Sequence, residues 1–292
     1  MRIDGQEESR NVEDGRRQRG PAPMALGGGM GALVLALVVW FLTGDPAKAF
    51  KVFMQGQQAP AQQQVAPDNA NQQFSPEEEA LAKFVGVVLK DTEDVWHAEF
   101  KKMGSRYQEP KLKLFTGSVA SACGNASAAV GPFYCPADQK VYLDLAFYTQ
   151  MRRQLNSPGD FAQAYVVAHE VGHHVQNLLG ITEKVDQMRG TPKENQYSVR
   201  LELQADYLAG VWAHHANEMR DMLESGDIEE AINCAKQIGD DNLQKMSKGY
   251  VQPESFTHGS SRQRAKWFTK GFKSGSMQGA NELFEIDYSE LE

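Results

Sequence analysis

The sequence has little cysteine and little concentrated positive charge. It contains 30 Lys and Arg against 38 Asp and Glu, a net charge of −8, and no segment gathers basic residues densely. Nucleic-acid binding requires a basic footprint for the phosphates, so this class of function is excluded, and the acidity is interpreted as a solubility feature. Three cysteines cannot complete a four-cysteine metal site. No internal repeat is visible.

Charged residues are missing altogether between Arg19 and Asp45. Within this gap, residues 24–43 are largely apolar, and a helix of that length spans about 30 Å, the thickness of a bilayer core. Gly27 and Gly31 have the spacing of a packing motif of membrane helices, whereas glycines destabilise a buried soluble helix, which is the alternative. We therefore expect a single transmembrane helix over residues 24–43, in contact with the lipid bilayer.

Basic residues are in excess before this segment, with three arginines in residues 16–19. By the positive-inside rule, residues 1–23 are expected to form a cytoplasmic tail, and the chain after the span is expected outside the cytoplasm, in the periplasm or the extracellular space. Cleavage at Ala47-Lys48-Ala49, which resembles a signal-peptidase site, is the competing interpretation. The length of the apolar run favours an uncleaved anchor.

Residues 44–73 are rich in Gln, Ala and Pro and have no apolar periodicity, which is typical of a disordered linker. The folded domain is expected over residues 74–292. Ser75, Pro76 and Glu78 have the order of an N-cap, a first-turn proline and a capping box, and predict the start of a long helix. Short alternating stretches then predict a small sheet, and further helices follow, so the predicted fold class is α+β.

Two of the three cysteines lie close together. Cys123 and Cys135 bound a loop rich in Gly and Pro, and Cys234 is left over. Outside the cytoplasm a disulfide between the first two is favoured, and it would stabilise the fold by about 3 kcal/mol in the chain-entropy model. Two free thiols, or half of a metal site, are the alternatives.

The run YVVAHEVGHHVQNLLG contains an H-E-x-x-H motif at residues 169–173. Residues four apart share a helix face, so His169 and His173 can bind one metal ion. Glu170 can hold a water on that ion without being a ligand. His174 points to another face. This spacing predicts a zinc peptidase centre with one zinc ion per chain.

A catalytic zinc site needs a third protein ligand. The metzincin continuation is absent, because Gln176 and Leu179 stand where Gly and His are required. The next predicted helix offers Glu202 and Asp206 one turn apart. Glu202 is expected to complete a His₂Glu site, and Asp206 to hydrogen-bond a ligating imidazole. Glu194 is the rival ligand.

A family resemblance rests on these residues. VAHEVGHHVQNLLG and RLELQADYLAGVWAHH, with GPFYCPADQKVYLDLAFY and FTHGSSRQRAKWFTKGF, resemble the predicted neutral zinc metallopeptidase family of bacterial membrane-anchored proteins, over about residues 74–275. The E-x-x-A-D pattern is similar to that of gluzincin peptidases, whose third ligand is glutamate. The resemblance implies a zincin-like domain at the bacterial inner membrane and a peptidase activity. It also implies zinc ligation by His169, His173 and Glu202, a general base at Glu170, and support from Asp206.

A peptidase of this kind is expected to act on a peptide or protein substrate, held by addition to an edge strand beside the metal helix. The candidate strand is KVYLD, which consists of Lys140, Val141, Tyr142, Leu143 and Asp144. His258, in a loop rich in Gly and Ser, is the candidate for stabilising the oxyanion, and a plain loop or capping role is the alternative.

Two other functions are weighed against the peptidase. The first is a catalytically inactive, zinc-stabilised binding module tethered to the membrane, and the intact Glu170 argues against it. The second is a membrane-tethered adaptor, for which neither a long exposed heptad pattern nor a basic stripe is found. Whether a membrane protein is a partner stays open. His214 and His215 are interpreted as surface residues.

Overall fold

A mixed sheet and a group of helices packed on it form the fold. The structure is a computed structural model that describes residues 1–17 and 74–292. The expected transmembrane helix over residues 24–43 and the expected linker over residues 44–73 lie outside the described residues. The described strands and helices are β1 (Val12–Asp14), α1 (Pro76–Lys102), β2 (Lys111–Phe115), β3 (Ser118–Ser121), β4 (Gly124–Ser127), β5 (Phe133–Cys135), β6 (Lys140–Asp144), α2 (Ala146–Gln154), α3 (Asp160–Leu178), α4 (Ile181–Asp186), α5 (Glu194–Arg220), α6 (Asp227–Gln237), α7 (Asp240–Lys248), α8 (Ser261–Ser274) and α9 (Glu282–Glu285).

Four strands form one sheet in the order β1-β2-β6-β5. The pairs β1–β2 and β2–β6 are parallel, and β5–β6 is antiparallel. Strands β3 and β4 form a separate antiparallel hairpin. Helix α3 packs between the sheet and the helices α5 and α6, and α8 packs along α5. The predicted α+β class is confirmed.

Local sequence signals explain where α1 begins. The Ser75 hydroxyl accepts from the backbone N–H of Glu78, and the Glu78 carboxylate accepts from the backbone N–H of Ser75, so the predicted capping box is present. Acidic residues fill the first turn and lysines the last, which favours the helix dipole at both ends. The inner face of α1 buries Val88 and Trp96 in the main core.

Backbone contact between α5 and α8 depends on glycines. A side chain at Gly210 of α5 would collide with the carbonyl of Phe268, and one at Gly271 of α8 would collide with the carbonyl of Tyr207. Only residues without a Cβ allow the two helices to approach this closely. The consequence is that side chains on the inner face of α8 reach deep into the domain.

Residues 1–17 are part of this domain, which corrects the expectation of a separate tail over residues 1–23 and of a domain limited to residues 74–292. Strand β1 pairs with β2, and Val12 lies opposite Leu112. The Ser9 hydroxyl and the Asn11 amide donate to the Glu93 carboxylate. The ammonium of Lys140 donates to Glu13 at 2.7 Å. The linear pattern could not reveal this, because three residues of strand give no periodic signal.

The pairing of β1 has a topological consequence. Two strands that are hydrogen-bonded to each other cannot lie on opposite sides of a bilayer, so β1 and β2 are on the same side of any membrane. The guanidinium of Arg16 also lies 3.9 Å from the centre of the Phe74 ring, which places the two described parts side by side. Within residues 1–17 and 74–292, no helix is long and apolar enough to cross a membrane. Attachment to the inner membrane itself stays a prediction.

The strand pairing predicts a specific crosslink. Glu13 lies opposite Lys113 in the β1–β2 register. In the double variant Glu13→Cys, Lys113→Cys, oxidation of the full-length chain should form a disulfide, since paired strand residues meet its distance requirement. Peptide mapping of the unreduced protein measures it, and the single variant Glu13→Cys is the control. If both introduced thiols stay alkylatable, β1 does not pair with β2 in the native chain.

Candidate metal centre

Helices α3 and α5 bring together the three side chains that the sequence predicts as metal ligands. One ligand atom each of His169, His173 and Glu202 lies within 4.8 Å of the others. Nε2 of His169 is 3.2 Å from Oε2 of Glu202, and Nε2 of His173 is 3.5 Å from Oε1 of Glu202. Two imidazoles and one carboxylate converging on one point are the donor set of catalytic zinc sites, which leave a further position open. The donor set therefore fits zinc.

Small residues between the ligands allow the two helices to meet. A Cβ at Gly172 would lie 3.0 Å from the carbonyl oxygen of Ala205, which is closer than ordinary side-chain contacts. Gly172 is the second spacer of the H-E-x-x-H motif, and Ala205 lies between Glu202 and Asp206. The spacer residues thus set the distance across which the ligands converge.

Each imidazole is oriented by a hydrogen bond from its other nitrogen. Nδ1 of His169 donates to Oδ1 of Asp206 at 2.8 Å, as the sequence predicts for an aspartate one turn after Glu202. Nδ1 of His173 donates to Oε1 of Gln176 at 2.8 Å. Because carboxylate and amide oxygens only accept, each Nδ1 carries a hydrogen, so in the neutral rings Nε2 is the nitrogen with a lone pair for a metal. Gln176 was used in the sequence analysis only to exclude the metzincin pattern, and its orienting role was missed.

Asp206 is fully buried, and Arg264 on α8 balances its charge. Arg264 Nε donates to Oδ2 at 2.8 Å and Nη2 donates to Oδ1 at 3.0 Å. The Tyr165 hydroxyl also donates to Asp206. Burial alone would raise the pKa of Asp206, but Arg264 and His169 hold it below its ordinary value. Asp206 therefore stays ionised and keeps the proton of His169 on Nδ1.

Neither Tyr165 nor Arg264 is among the site residues predicted from the sequence. Tyr165 lies four residues before His169 on the same helix face, so the helical repeat contained the signal. Arg264 lies within FTHGSSRQRAKWFTKGF, a segment used for the family resemblance, but nothing in the local pattern indicates that its guanidinium is buried.

The charges of the cluster act on one another. Burial alone would lower the pKa of His169, but the carboxylates of Asp206 and Glu202 raise it to about 9. Burial alone would raise the pKa of Glu202, but His173 and His169 hold it well below its usual range. A basic imidazole and an ionised carboxylate are strong donors to a cation.

The candidate ligands line a cleft of about 620 Å³. Glu170 lines the same cleft, and no group within residues 1–17 and 74–292 donates a hydrogen bond to its carboxylate. It is therefore free to accept a proton from a water bound beside the ligands. Glu170 lies next to His169 but outside the cluster, and its role as general base stays a prediction from the motif.

His258 also lines this cleft, in the loop between α7 and α8. Asp240, at the start of α7, holds this loop, because its Oδ2 accepts from the backbone N–H groups of Thr257, His258 and Gly259. Nδ1 of His258 lies 3.3 Å from Oδ1 of Asp240, and this hydrogen bond raises the pKa of His258. His258 is a predicted site residue, whereas Asp240 is not.

Two other candidates lie apart from the cluster. His174 is buried, with Nδ1 at 2.9 Å from the Tyr134 hydroxyl and Nε2 at 2.7 Å from the carbonyl of Gln108. Glu194, the rival third ligand, lies at the exposed start of α5 and accepts from the backbone N–H of Gly190. The geometry therefore favours Glu202 over Glu194.

The expected substrate strand is wrong. Residues Lys140–Asp144 form β6, which lies inside the sheet, hydrogen-bonded to β2 on one side and to β5 on the other. All five residues are paired with β2, and Lys140, Val141 and Tyr142 are also paired with β5, so they cannot accept another strand. The edge strand beside the cleft is β5, which among the described residues pairs with β6 alone, and Phe133 and Tyr134 of β5 line the cleft.

The predicted disulfide is confirmed. Cys123 and Cys135 are bonded, and Cys234 is a buried free thiol. The bond connects the turn between β3 and β4 to the last residue of β5. It therefore braces the edge strand β5.

Comparisons with known proteins identify a family for this chain. A sequence model of the family described as "Putative neutral zinc metallopeptidase" matches residues 1–283. The chain belongs to this family. "Uncharacterized protein YpfJ" of Escherichia coli (strain K12) is 47% identical over 289 residues, which cover 96% of this chain and 98% of that protein. "Uncharacterized protein Rv2575" of Mycobacterium tuberculosis (strain H37Rv) is 42% identical over 203 residues, 66% of this chain and 69% of that protein. No solved structure matches.

The two glutamates of α5 provide a matched test of ligation in this metallopeptidase family member. Glu202→Ala should remove one equivalent of bound zinc, because two histidines alone hold the ion weakly. Glu194→Ala should keep it. Elemental analysis of the dialysed full-length variants measures zinc per chain. Retention in Glu202→Ala together with loss in Glu194→Ala would mean that the third ligand is misassigned.

Proposed function

We propose that the protein is a zinc-dependent endopeptidase. The observation that carries the proposal is the convergence of His169, His173 and Glu202 on one cleft that Glu170 also lines. This arrangement combines a metal-binding donor set with an unengaged carboxylate, the two requirements of metal-assisted peptide hydrolysis. Membership of a zinc metallopeptidase family supports the same conclusion.

A zinc ion held by these three residues would supply a bound water of lowered pKa and would polarise the peptide carbonyl. Glu170 takes a proton from the attacking water and then donates it to the leaving amine, which requires a carboxylate close to the ligands and free of other donors. Asp206, through Nδ1 of His169, keeps that imidazole in the tautomer that binds metal. Arg264 keeps Asp206 ionised while it does so.

The substrate backbone is proposed to add to the open edge of β5. Strand β5 is short, is braced by the Cys123–Cys135 bond and contributes Phe133 and Tyr134 to the cleft wall. An extended peptide on this edge would run through the cleft past Glu170. The proposed substrate is therefore an unfolded segment of a peptide or protein, since a folded helix offers no free backbone groups.

His258 is proposed to stabilise the oxyanion that forms on the attacked carbonyl. It lines the same cleft as Glu170, and its hydrogen bond to Asp240 raises its pKa, so the cationic form persists to higher pH. A charged imidazolium donates a stronger hydrogen bond to an anion than a neutral ring does.

A catalytically inactive, zinc-stabilised binding module is the alternative function. Zinc binding needs only the three ligands, whereas Glu170 serves only proton transfer. The position of Glu170 in the cleft favours the enzyme. Association of the chain with the bacterial inner membrane through residues 24–43 remains a proposal from the sequence.

Glu170→Gln separates catalysis from metal binding. The amide cannot accept the proton, so peptide cleavage should fall by a factor of about 10² to 10⁴ while zinc content stays at the wild-type level. Cleavage of an unfolded protein such as casein, together with zinc analysis, measures both quantities. Glu183→Gln, an exposed glutamate on α4, is the control and should cleave normally. Wild-type cleavage by Glu170→Gln would refute the peptidase proposal.

His258→Ala tests the oxyanion proposal. Loss of an oxyanion donor should lower kcat by about 10²- to 10³-fold with zinc content unchanged. Asp240→Asn should act through His258: the pKa of His258 falls, so the alkaline limb of the kcat profile moves to lower pH, because the cation is lost as pH rises through that pKa. Steady-state kinetics across pH measure both effects. An unchanged kcat in His258→Ala would leave His258 as a loop residue only.

A further inference from the structure

A second cluster of potential metal ligands lies at the other end of α5. His214, His215 and Glu218 each place one ligand atom within 4.8 Å of the others. Glu202 and His215 are 13 residues apart on α5, so this cluster lies about 20 Å along the helix from the first centre. No residue is shared between the two clusters.

Backbone carbonyls of α8 fix the protonation of both rings. Nδ1 of His214 lies 2.8 Å from the carbonyl oxygen of Phe272, and Nε2 of His215 lies 2.7 Å from that of Gly275. A carbonyl only accepts, so these two nitrogens carry hydrogens and donate. In the neutral rings, Nε2 of His214 and Nδ1 of His215 are then the atoms with free lone pairs.

Both of these lone-pair nitrogens face the same carboxylate. Nε2 of His214 is 3.6 Å from Oε1 of Glu218, and Nδ1 of His215 is 3.1 Å from Oε2 of Glu218. Two lone pairs directed at an anionic group repel it unless a cation lies between them. The pattern repeats that of the first centre, where each imidazole donates from its far nitrogen and turns the near one towards a glutamate.

A glycine accommodates this arrangement. Gly275, the C-cap of α8, has φ +57°, and a Cβ there would collide with the ring of His214. Its carbonyl is the one that accepts from His215. The end of α8 is thus shaped to hold both imidazoles, while Glu218 is 61% exposed and leaves the cluster open to solvent and ions.

We propose that His214, His215 and Glu218 bind a second divalent transition-metal ion, with water in the remaining position. Zinc is the expected metal, because it prefers a ligand set of two imidazoles and one carboxylate. The alternative is protonation of one ring, which would make the cluster an ordinary ion pair. Glu99, whose Oε1 lies 3.3 Å from Nε2 of His215, would stabilise the protonated ring. Because backbone carbonyls at the C-terminal end of α8 orient both rings, an ion here would brace α5 against that end of α8, the helix that also carries Arg264.

Zinc titration of the full-length chain tests this site independently of catalysis. In the His173→Ala variant, which disables the first centre, one equivalent of Zn²⁺ should still bind, as measured by competition with a chromophoric chelator. Adding Glu218→Gln to this variant should lower the affinity at least tenfold, and Glu218 is exposed enough for the chain to stay folded. Thermal unfolding with and without Zn²⁺ should show a stabilisation that Glu218→Gln abolishes.

An exposed histidine elsewhere provides the control. His97 on α1 forms an ion pair with Glu109, 2.8 Å away, and no third potential ligand joins this pair in the described part of the chain. His97→Ala should therefore leave the second equivalent unchanged. If His173→Ala fails to fold, the stoichiometry of the otherwise wild-type chain decides: two equivalents that fall to one in Glu218→Gln support the site. Absence of a second equivalent, or equal affinity with and without Glu218, would overturn it.

Discussion

The buried ion pair between Asp206 and Arg264 is the interaction on which the rest of the site depends. Both side chains are almost completely withdrawn from water, and each would be costly to bury alone. Removal of one partner from such a pair typically costs about 3–5 kcal/mol, because an uncompensated charge remains. The pair joins α5 to α8, and Tyr165 and His169 attach α3 to the same carboxylate. One anion therefore sets the relative positions of three helices and the tautomer of a candidate ligand.

Close backbone packing makes this ion pair possible. Gly172 lets α3 approach α5, and Gly210 and Gly271 let α5 approach α8. With larger residues at these positions the helices would separate, and Arg264 could no longer reach Asp206. The polar site therefore depends on the glycines of the helix interfaces, because the distance between the helices decides whether Arg264 can reach Asp206.

What the sequence predicts well is local. The H-E-x-x-H ligands, the Glu202–Asp206 spacing and the Ser75 capping box all follow from helix periodicity within a few residues, and the disulfide follows from a short loop. What it does not predict depends on contacts between distant segments. Arg264 meets a residue 58 positions away, and β6 becomes an interior strand because β5 and β2 arrive on either side of it. The alternating pattern of KVYLD describes a strand equally well at an edge or in the middle of a sheet.

Strand β1 determines the order in which the sheet can be completed during synthesis. It leaves the ribosome before its partner β2, which begins at Lys111, so β1 must wait for about a hundred further residues before it can pair. During that interval Val12, its single apolar side chain, has no native neighbour from β2. The reverse also holds: a chain that starts at residue 74 would leave β2 with a row of unpaired backbone groups at the border of the sheet. Such a border is a template for other chains, so the first seventeen residues also protect the protein against aggregation.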